Sequence, residues 1–191
     1  LLGMPLPLQQ LQILWINLVT DGLPGLALGT EPSEPDTMRR GPHPLGESVF
    51  GRGMGAHVLR VGLAMGAVPL AVGYVAWRGG HPGWQSLLFT TLTLAQMGHA
   101  LAIRSHRRSL FSQGLGSNRA LTGAVLLTFG LQMTALFVPG AQRLLGTRPL
   151  EAADLATALL ASTCVFWLVE GEKWVRRRRA PDPRSTDADL R

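Results

Sequence analysis

Apolar residues form five long runs in the sequence, each long enough to cross a lipid bilayer, which takes about 20 residues of helix. None of the runs alternates apolar and polar residues as a transmembrane strand does, so all five are predicted to be helices. A globular helical bundle is the alternative, but its helices would need polar outer faces, which the third and fourth runs almost entirely lack. The predicted spans are residues 8–28, 54–77, 85–103, 120–138 and 152–175.

The composition agrees with this pattern, because 46% of the 191 residues are hydrophobic and only 16% are charged. The predicted fold class is therefore an all-α membrane protein, a bundle of five transmembrane helices. Its expected parts are an outer loop end and first helix (1–30), a cytoplasmic loop (31–53), four further helices (54–175) and a basic, unstructured tail (176–191).

Arginine and lysine predict the orientation. The connection at 31–53 carries three of them, the connection at 104–119 carries four, and the segment from Lys173 onward carries seven, against three in the two other connections. This positive-inside bias places the C-terminus in the cytoplasm. The net charge of +6 is explained by topology and anionic lipid, so the predicted surroundings are the lipid bilayer and no nucleic-acid partner is expected.

One polar stretch, NLVTDGLPGLALG at residues 17–29, interrupts the first run. Asn17, Thr20 and Asp21 are spaced i, i+3 and i+4, so on an α-helix they share one face. Pro24 removes the hydrogen bond to the Thr20 carbonyl, which frees backbone oxygens beside the side-chain oxygens. An aspartate at mid-membrane costs about 2.5–3.5 kcal/mol and usually faces a partner or a cavity. The stretch predicts a hard-cation site, and the alternative is that Asn17 and Asp21 only join helices.

Three ligands do not complete a calcium site, which takes about six to eight oxygens. In the third run, Gln96 and His99 are i, i+3 and are expected to face protein rather than lipid. Gln96 is either a peripheral cation ligand or an interhelical hydrogen-bonding residue. His99 is predicted to be a packing residue, because hard cations prefer oxygen to imidazole.

Two further groups of residues carry expectations about packing. Gly62 and Gly66 form a GxxxG pair, which predicts close contact with a neighbouring helix. Gln9, Gln10 and Gln12 are expected at the outer interface, in contact with water.

The segment ILWINLVTDGLPGLALGTEPSEPDTMRRGP resembles the sixth transmembrane helix and following cytoplasmic loop of the P-type cation-transporting ATPases, particularly the bacterial relatives of the calcium pumps. TTLTLAQMGHALAIRS is similar to the eighth helix, and the resemblance continues to the end of the tenth. It implies that the five helices are equivalent to helices six to ten of a pump in a bacterial cell membrane. It also implies that Asn17, Thr20 and Asp21 are cation ligands, with Asp21 central.

The departures from the family pattern limit this resemblance. Gln96 stands where two-site calcium pumps carry a glutamate, which favours one full cation site, with Gln96 as a neutral fourth ligand. The transported divalent cation is expected to be Ca²⁺, although other cations also accept oxygen ligands. The DKTGT motif of the phosphorylated aspartate does not occur in this sequence, so ATP and Mg²⁺ are expected to act only through the remainder of the pump. That remainder is expected to dock near Met38, Arg39 and Arg40.

The sequence therefore predicts a C-terminal membrane-domain fragment of an ATP-driven cation pump. No cysteine pair, HExxH motif, phosphate-binding loop or nucleophile elbow indicates a local active site. The alternative is a non-catalytic membrane protein that keeps the helices and acts as a partner or assembly factor. A passive channel is disfavoured by the incomplete ligand set.

Overall fold

The computed structural model describes residues 3–30, 54–103 and 118–179, with side chains up to residue 171. Within these ranges the structure is helical apart from short connections and contains no strand. The predicted all-α membrane bundle is confirmed. The helices are α1 (Gln10–Leu28), α2 (Met54–Arg78), α3 (Trp84–Ala102), α4 (Arg119–Phe137), α5 (Pro139–Leu145) and α6 (Ala152–Arg179).

Five of these helices match the five predicted spans, and the short helix α5 lies in what was expected to be a plain connection. Helices α1, α2, α4 and α6 are long and apolar enough to cross a membrane. Helix α3 is less apolar than these four helices because it carries serine, threonine, glutamine and histidine. It is instead enclosed by the other helices, and Thr90, Thr91 and Thr93 are fully buried on it. Thr91 and Thr93 donate to carbonyls four residues back, which satisfies their hydroxyls without water.

The packing of the bundle is centred on α3, which contacts α2 and α6 most extensively and also meets α1 and α4. One core cluster joins Val61 of α2, Ala95 of α3 and Val165 of α6. A second joins Ile16 of α1 to Phe89 of α3. Small residues at such crossings let helix backbones approach closely, and close packing is what holds helices together in a membrane.

Gly73, rather than the GxxxG pair, makes the close contact of α2. A Cβ atom at Gly62 or Gly66 would meet nothing within 4 Å in the described part of the chain. A Cβ at Gly73 would lie 2.6 Å from Cδ1 of Leu88 on α3. The expectation that Gly62 and Gly66 face a neighbouring helix is therefore wrong for the helices described, and the α2–α3 crossing depends on Gly73.

Gln12 is buried, so the expectation that it contacts water at the outer interface is wrong. Its side-chain amide donates to the Leu145 carbonyl at 3.0 Å, and its oxygen accepts the Gln9 backbone N–H at 3.0 Å. Gln12 thus connects the start of α1 to the end of α5. The residue after α5, Gly146, has a φ of 63°, a left-handed conformation that suits glycine.

Replacing Gln12 with alanine should destabilise the protein by about 1–3 kcal/mol, because the buried Leu145 carbonyl loses its donor. The measurement is thermal unfolding of the purified protein in detergent. Gln10→Ala is the matched control, since Gln10 is exposed two residues earlier on the same helix and should unfold like the wild type. Equal unfolding temperatures for the two variants would show that the Gln12 bridge is unimportant.

Candidate functional site

The polar stretch of α1 adopts a π-helical turn. Residues Ile16–Asp21 are π-helical, between α-helical segments at Gln10–Trp15 and Gly22–Leu28. Pro24, which has no N–H, lies early in the second α-helical segment, yet the helix continues through it. The sequence predicted that the helix is weakened near Pro24. In the structure the helix does not break there but widens into a π-helical turn just before it. Such turns inside α-helices occur frequently at functional sites.

The three oxygen-bearing residues of this turn do not all share one face, contrary to the α-helical expectation. Thr20 is buried with 1% of its surface exposed, whereas Asn17 and Asp21 are exposed in the described structure. A π-helical turn contains more residues than an α-helical turn, so residue i+3 is rotated further away from residue i. Thr20 consequently turns towards α3, and Asn17 and Asp21 remain on a face that the described helices leave open.

Thr20 makes the polar contact between α1 and α3. Its hydroxyl lies 2.8 Å from Oε1 of Gln96 and 2.8 Å from the Ile16 carbonyl oxygen on its own helix. The contact with Gln96 is the interhelical hydrogen bond that the sequence analysis gave as one of the two roles of Gln96. It brings two of the four predicted cation ligands together.

A cavity of about 190 Å³ lies beside this contact. Three of the four predicted ligands, Thr20, Asp21 and Gln96, line it, whereas Asn17 does not. His99, predicted to be a packing residue, also lies on its wall. The remaining lining residues are Pro24, Gly25, Leu28, Met65, Ala100 and Ile103. The cavity therefore has a mostly apolar wall and a small group of polar side chains.

The chemistry of these side chains suits a hard cation. Asp21 offers a carboxylate, Thr20 a hydroxyl and Gln96 an amide oxygen, which are the donor types that calcium and magnesium take in proteins. Among the described residues, no three histidine, cysteine, aspartate or glutamate side chains cluster as they would in a zinc or other transition-metal site. The cavity thus offers an incomplete set of oxygen donors.

Thr128 of α4 and Asn118, the residue that caps the start of α4, contact the same part of α1, and neither was among the predicted site residues. The Thr128 hydroxyl donates to the Val19 carbonyl at 3.4 Å, and the Asn118 side chain donates to the Ala27 carbonyl at 3.3 Å. An asparagine just before an apolar run is a sequence signal for a helix N-cap, and the Asn118 side-chain oxygen does accept the Leu121 N–H. Thr128 has no sequence signal, because a threonine in an apolar helix usually bonds to its own backbone.

The predicted docking residues Met38, Arg39 and Arg40 lie outside the described residues.

Comparison with known proteins identifies the family. The family model described as "Cation transporting ATPase, C-terminus" matches residues 5–175. The chain belongs to this family. The match covers all six helices up to the last residues of α6, so the cavity between α1 and α3 lies within the C-terminal domain of the cation-transporting ATPases.

Several relatives of this C-terminal domain are calcium-transporting ATPases by name. The chain is 34% identical over 181 residues to the "Calcium-transporting ATPase" of Bacillus subtilis (strain 168), with 93% of the chain and 20% of that protein covered. It is 37% identical over 138 residues to "Calcium-transporting ATPase lmo0841" of Listeria monocytogenes, covering 72% and 16%. It is 31% identical over 184 residues to the human "Calcium-transporting ATPase type 2C member 1", covering 94% and 20%. The chain thus spans about a fifth of the length of these relatives.

Proposed function

We propose that this C-terminal domain supplies part of the intramembrane cation site of an ATP-driven pump, with Ca²⁺ as the favoured transported ion. The observation that carries the proposal is the cavity where Asp21, Thr20 and Gln96 converge between α1 and α3. A carboxylate placed in an apolar membrane helix is costly, and here it lies beside other oxygen donors. The names of the relatives, which are calcium-transporting ATPases, support calcium.

The proposed ligands are Asn17, Thr20, Asp21 and Gln96, with Asp21 providing the negative charge. Thr20 has a single hydroxyl hydrogen and two oxygens at 2.8 Å, so it donates fully to only one of them. Both contacts are satisfied when the amide NH₂ of Gln96 faces Thr20 and Thr20 donates to Ile16. With its amide turned in this way, Gln96 would have its oxygen free of Thr20 and could offer it to the cation as a neutral ligand.

Asn17 joins the site in this proposal from the open face of α1. Calcium takes about six to eight oxygens, and the proposed ligands of this chain are four side chains, so in the proposal further ligands come from the remainder of the pump. Asn17 and Asp21 are exposed on the face of α1 that the described helices leave uncovered. We propose that upstream helices of the pump cover this face and complete one cation site.

The proposal also includes the orientation and the coupling of the domain. The distribution of arginine and lysine supports a cytoplasmic location for the C-terminus and for residues 31–53. The relatives in Bacillus and Listeria support a bacterial cell membrane. Residues 31–53 would couple the site to the phosphorylation domain through Met38, Arg39 and Arg40. ATP and Mg²⁺ would bind to that domain and not to this chain.

Equilibrium binding of Ca²⁺ to the purified full-length pump tests the proposal, with Gln96→Ala as the variant. We expect saturable binding to the wild type and an affinity lower by about three- to ten-fold in the variant, which loses one neutral ligand. Gln85→Ala is the matched control, because Gln85 lies at the start of the same helix and donates to the Leu6 carbonyl.

Three outcomes are distinct. Absence of saturable Ca²⁺ binding to the wild type would overturn the proposed function. Equal affinities of the wild type and Gln96→Ala would leave Gln96 as an interhelical hydrogen-bonding residue only, with the site at Asp21 unaffected. Equal losses in Gln96→Ala and Gln85→Ala would show a general disturbance of α3 and contradict the ligand role.

A further inference from the structure

Pro24 lacks a backbone N–H, so one hydrogen-bond donor is missing from α1 next to the candidate site. In a π-helical turn the carbonyl of residue i accepts the N–H of residue i+5. Val19 lies in the π-helical segment of α1, and the residue five positions on is Pro24, which has no N–H. The Val19 carbonyl therefore cannot accept a π-type hydrogen bond from its own helix. A carbonyl without a donor is costly where no water is present.

Thr128 of α4 donates to this carbonyl. Its hydroxyl lies 3.4 Å from the Val19 oxygen, a long hydrogen bond, and the side chain is fully buried. Two other threonines of the same helix, Thr122 and Thr134, donate to carbonyls four residues back, those of the N-cap residue Asn118 and of Gly130. Thr128 thus differs from its neighbours in reaching across to α1.

A second bond fixes α4 alongside α1 on the other side of Pro24. The Asn118 side chain, which is 4% exposed, donates to the Ala27 carbonyl at 3.3 Å. Helix α4 therefore contacts the α1 backbone both before and after Pro24. One bond contacts the π-helical turn at Val19 and the other contacts the following α-helical segment at Ala27, so together they hold these two parts of α1 in a fixed relation across Pro24.

We propose that Thr128 is a positioning residue for the cation site. Its hydroxyl supplies to Val19 the hydrogen that Pro24 cannot supply, and so it holds the π-helical turn that carries Asp21 at the cavity. The proposal rests on the proposed function, since it assumes that Asp21 binds the cation. Thr128 does not line the cavity and acts only through the α1 backbone.

The test uses the full-length pump with Thr128→Val, which keeps the shape of the side chain and removes the hydroxyl. We expect the Ca²⁺ concentration for half-maximal ATPase activity to rise by about two- to ten-fold, with the maximal rate unchanged. Thr128→Ser restores the hydroxyl and should restore the affinity. Thr134→Val is the matched control, because Thr134 is exposed and bonds within α4, and it should behave like the wild type.

A second measurement is independent of calcium and of activity. Hydrogen–deuterium exchange of the peptide covering residues 14–30, without Ca²⁺, should be faster in Thr128→Val than in the wild type and in Thr134→Val. Unchanged exchange, or faster exchange with unchanged calcium affinity, would overturn the positioning role. If Asp21→Asn keeps wild-type calcium affinity, the proposed function fails, and the exchange result then still decides whether Thr128 holds the turn.

Discussion

Replacing Asp21 with asparagine in the full-length pump should abolish cation-dependent phosphorylation from ATP. In the proposed site Asp21 is the one ionisable ligand that this chain supplies, and it lines the cavity next to the Thr20–Gln96 contact. Asparagine keeps the size and one oxygen but removes the negative charge that a divalent cation requires. We expect the affinity for Ca²⁺ to fall by more than about a hundred-fold, because even residues that only support metal ligands commonly contribute ten- to a hundred-fold.

Two further variants separate loss of the ligand from loss of the fold. Asp21→Glu keeps the charge but lengthens the side chain, so it should retain part of the phosphorylation. Glu151→Gln makes the same chemical change as Asp21→Asn at an exposed residue just before α6, and it should leave phosphorylation intact. The amount of protein, its elution on gel filtration and its unfolding temperature show whether each variant is folded. A folded Asp21→Asn variant with undiminished calcium affinity would contradict the proposed site.

The sequence predicted the main parts of the fold because each follows from composition and length. Five helical spans follow from the apolar runs, and they match the five long helices. The central position of α3 in the bundle was not predicted, although its threonines indicated that it differs from a lipid-facing helix. A helix enclosed by other helices can hold hydroxyls that bond to its own backbone, and Thr91 and Thr93 do so. The lower apolarity of α3 is therefore the sequence feature that distinguishes this central helix from the four long helices that pack around it.

Only part of the candidate site was predictable. The spacing of Asn17, Thr20 and Asp21 identified the polar stretch, and their oxygens indicated its chemistry. The π-helical turn was not predictable, because it depends on how α1 packs against α3 and α4 as well as on Pro24. That turn separates Thr20 from the face of Asn17. Gln12 was assigned to the interface from its position near the helix start, but its partner Leu145 is distant in sequence.

Replacing Gly73 with leucine should destabilise the bundle. Gly73 is buried on α2, and a Cβ atom there would lie 2.6 Å from Cδ1 and 2.8 Å from Cβ of Leu88. Rotation of the Leu88 side chain can move its Cδ1 but not its Cβ, so α2 and α3 must separate. Overpacking of this kind costs about 1–3 kcal/mol. The expected result is a lower unfolding temperature and a lower yield of the purified full-length protein.

The matched control is Gly130→Leu on α4, because a Cβ at Gly130 would meet nothing within 4 Å. Both variants remove a glycine from a helix and add the same apolar side chain, so helix propensity and membrane insertion change alike. Any difference in unfolding temperature therefore reports the α2–α3 contact alone. Equal unfolding temperatures would mean that the helices do not cross closely at Gly73. A lower unfolding temperature in Gly73→Leu but not in Gly130→Leu would show that α2 packs closely against α3 at Gly73. Because α3 carries Gln96, the wall of the cavity would then depend on this crossing.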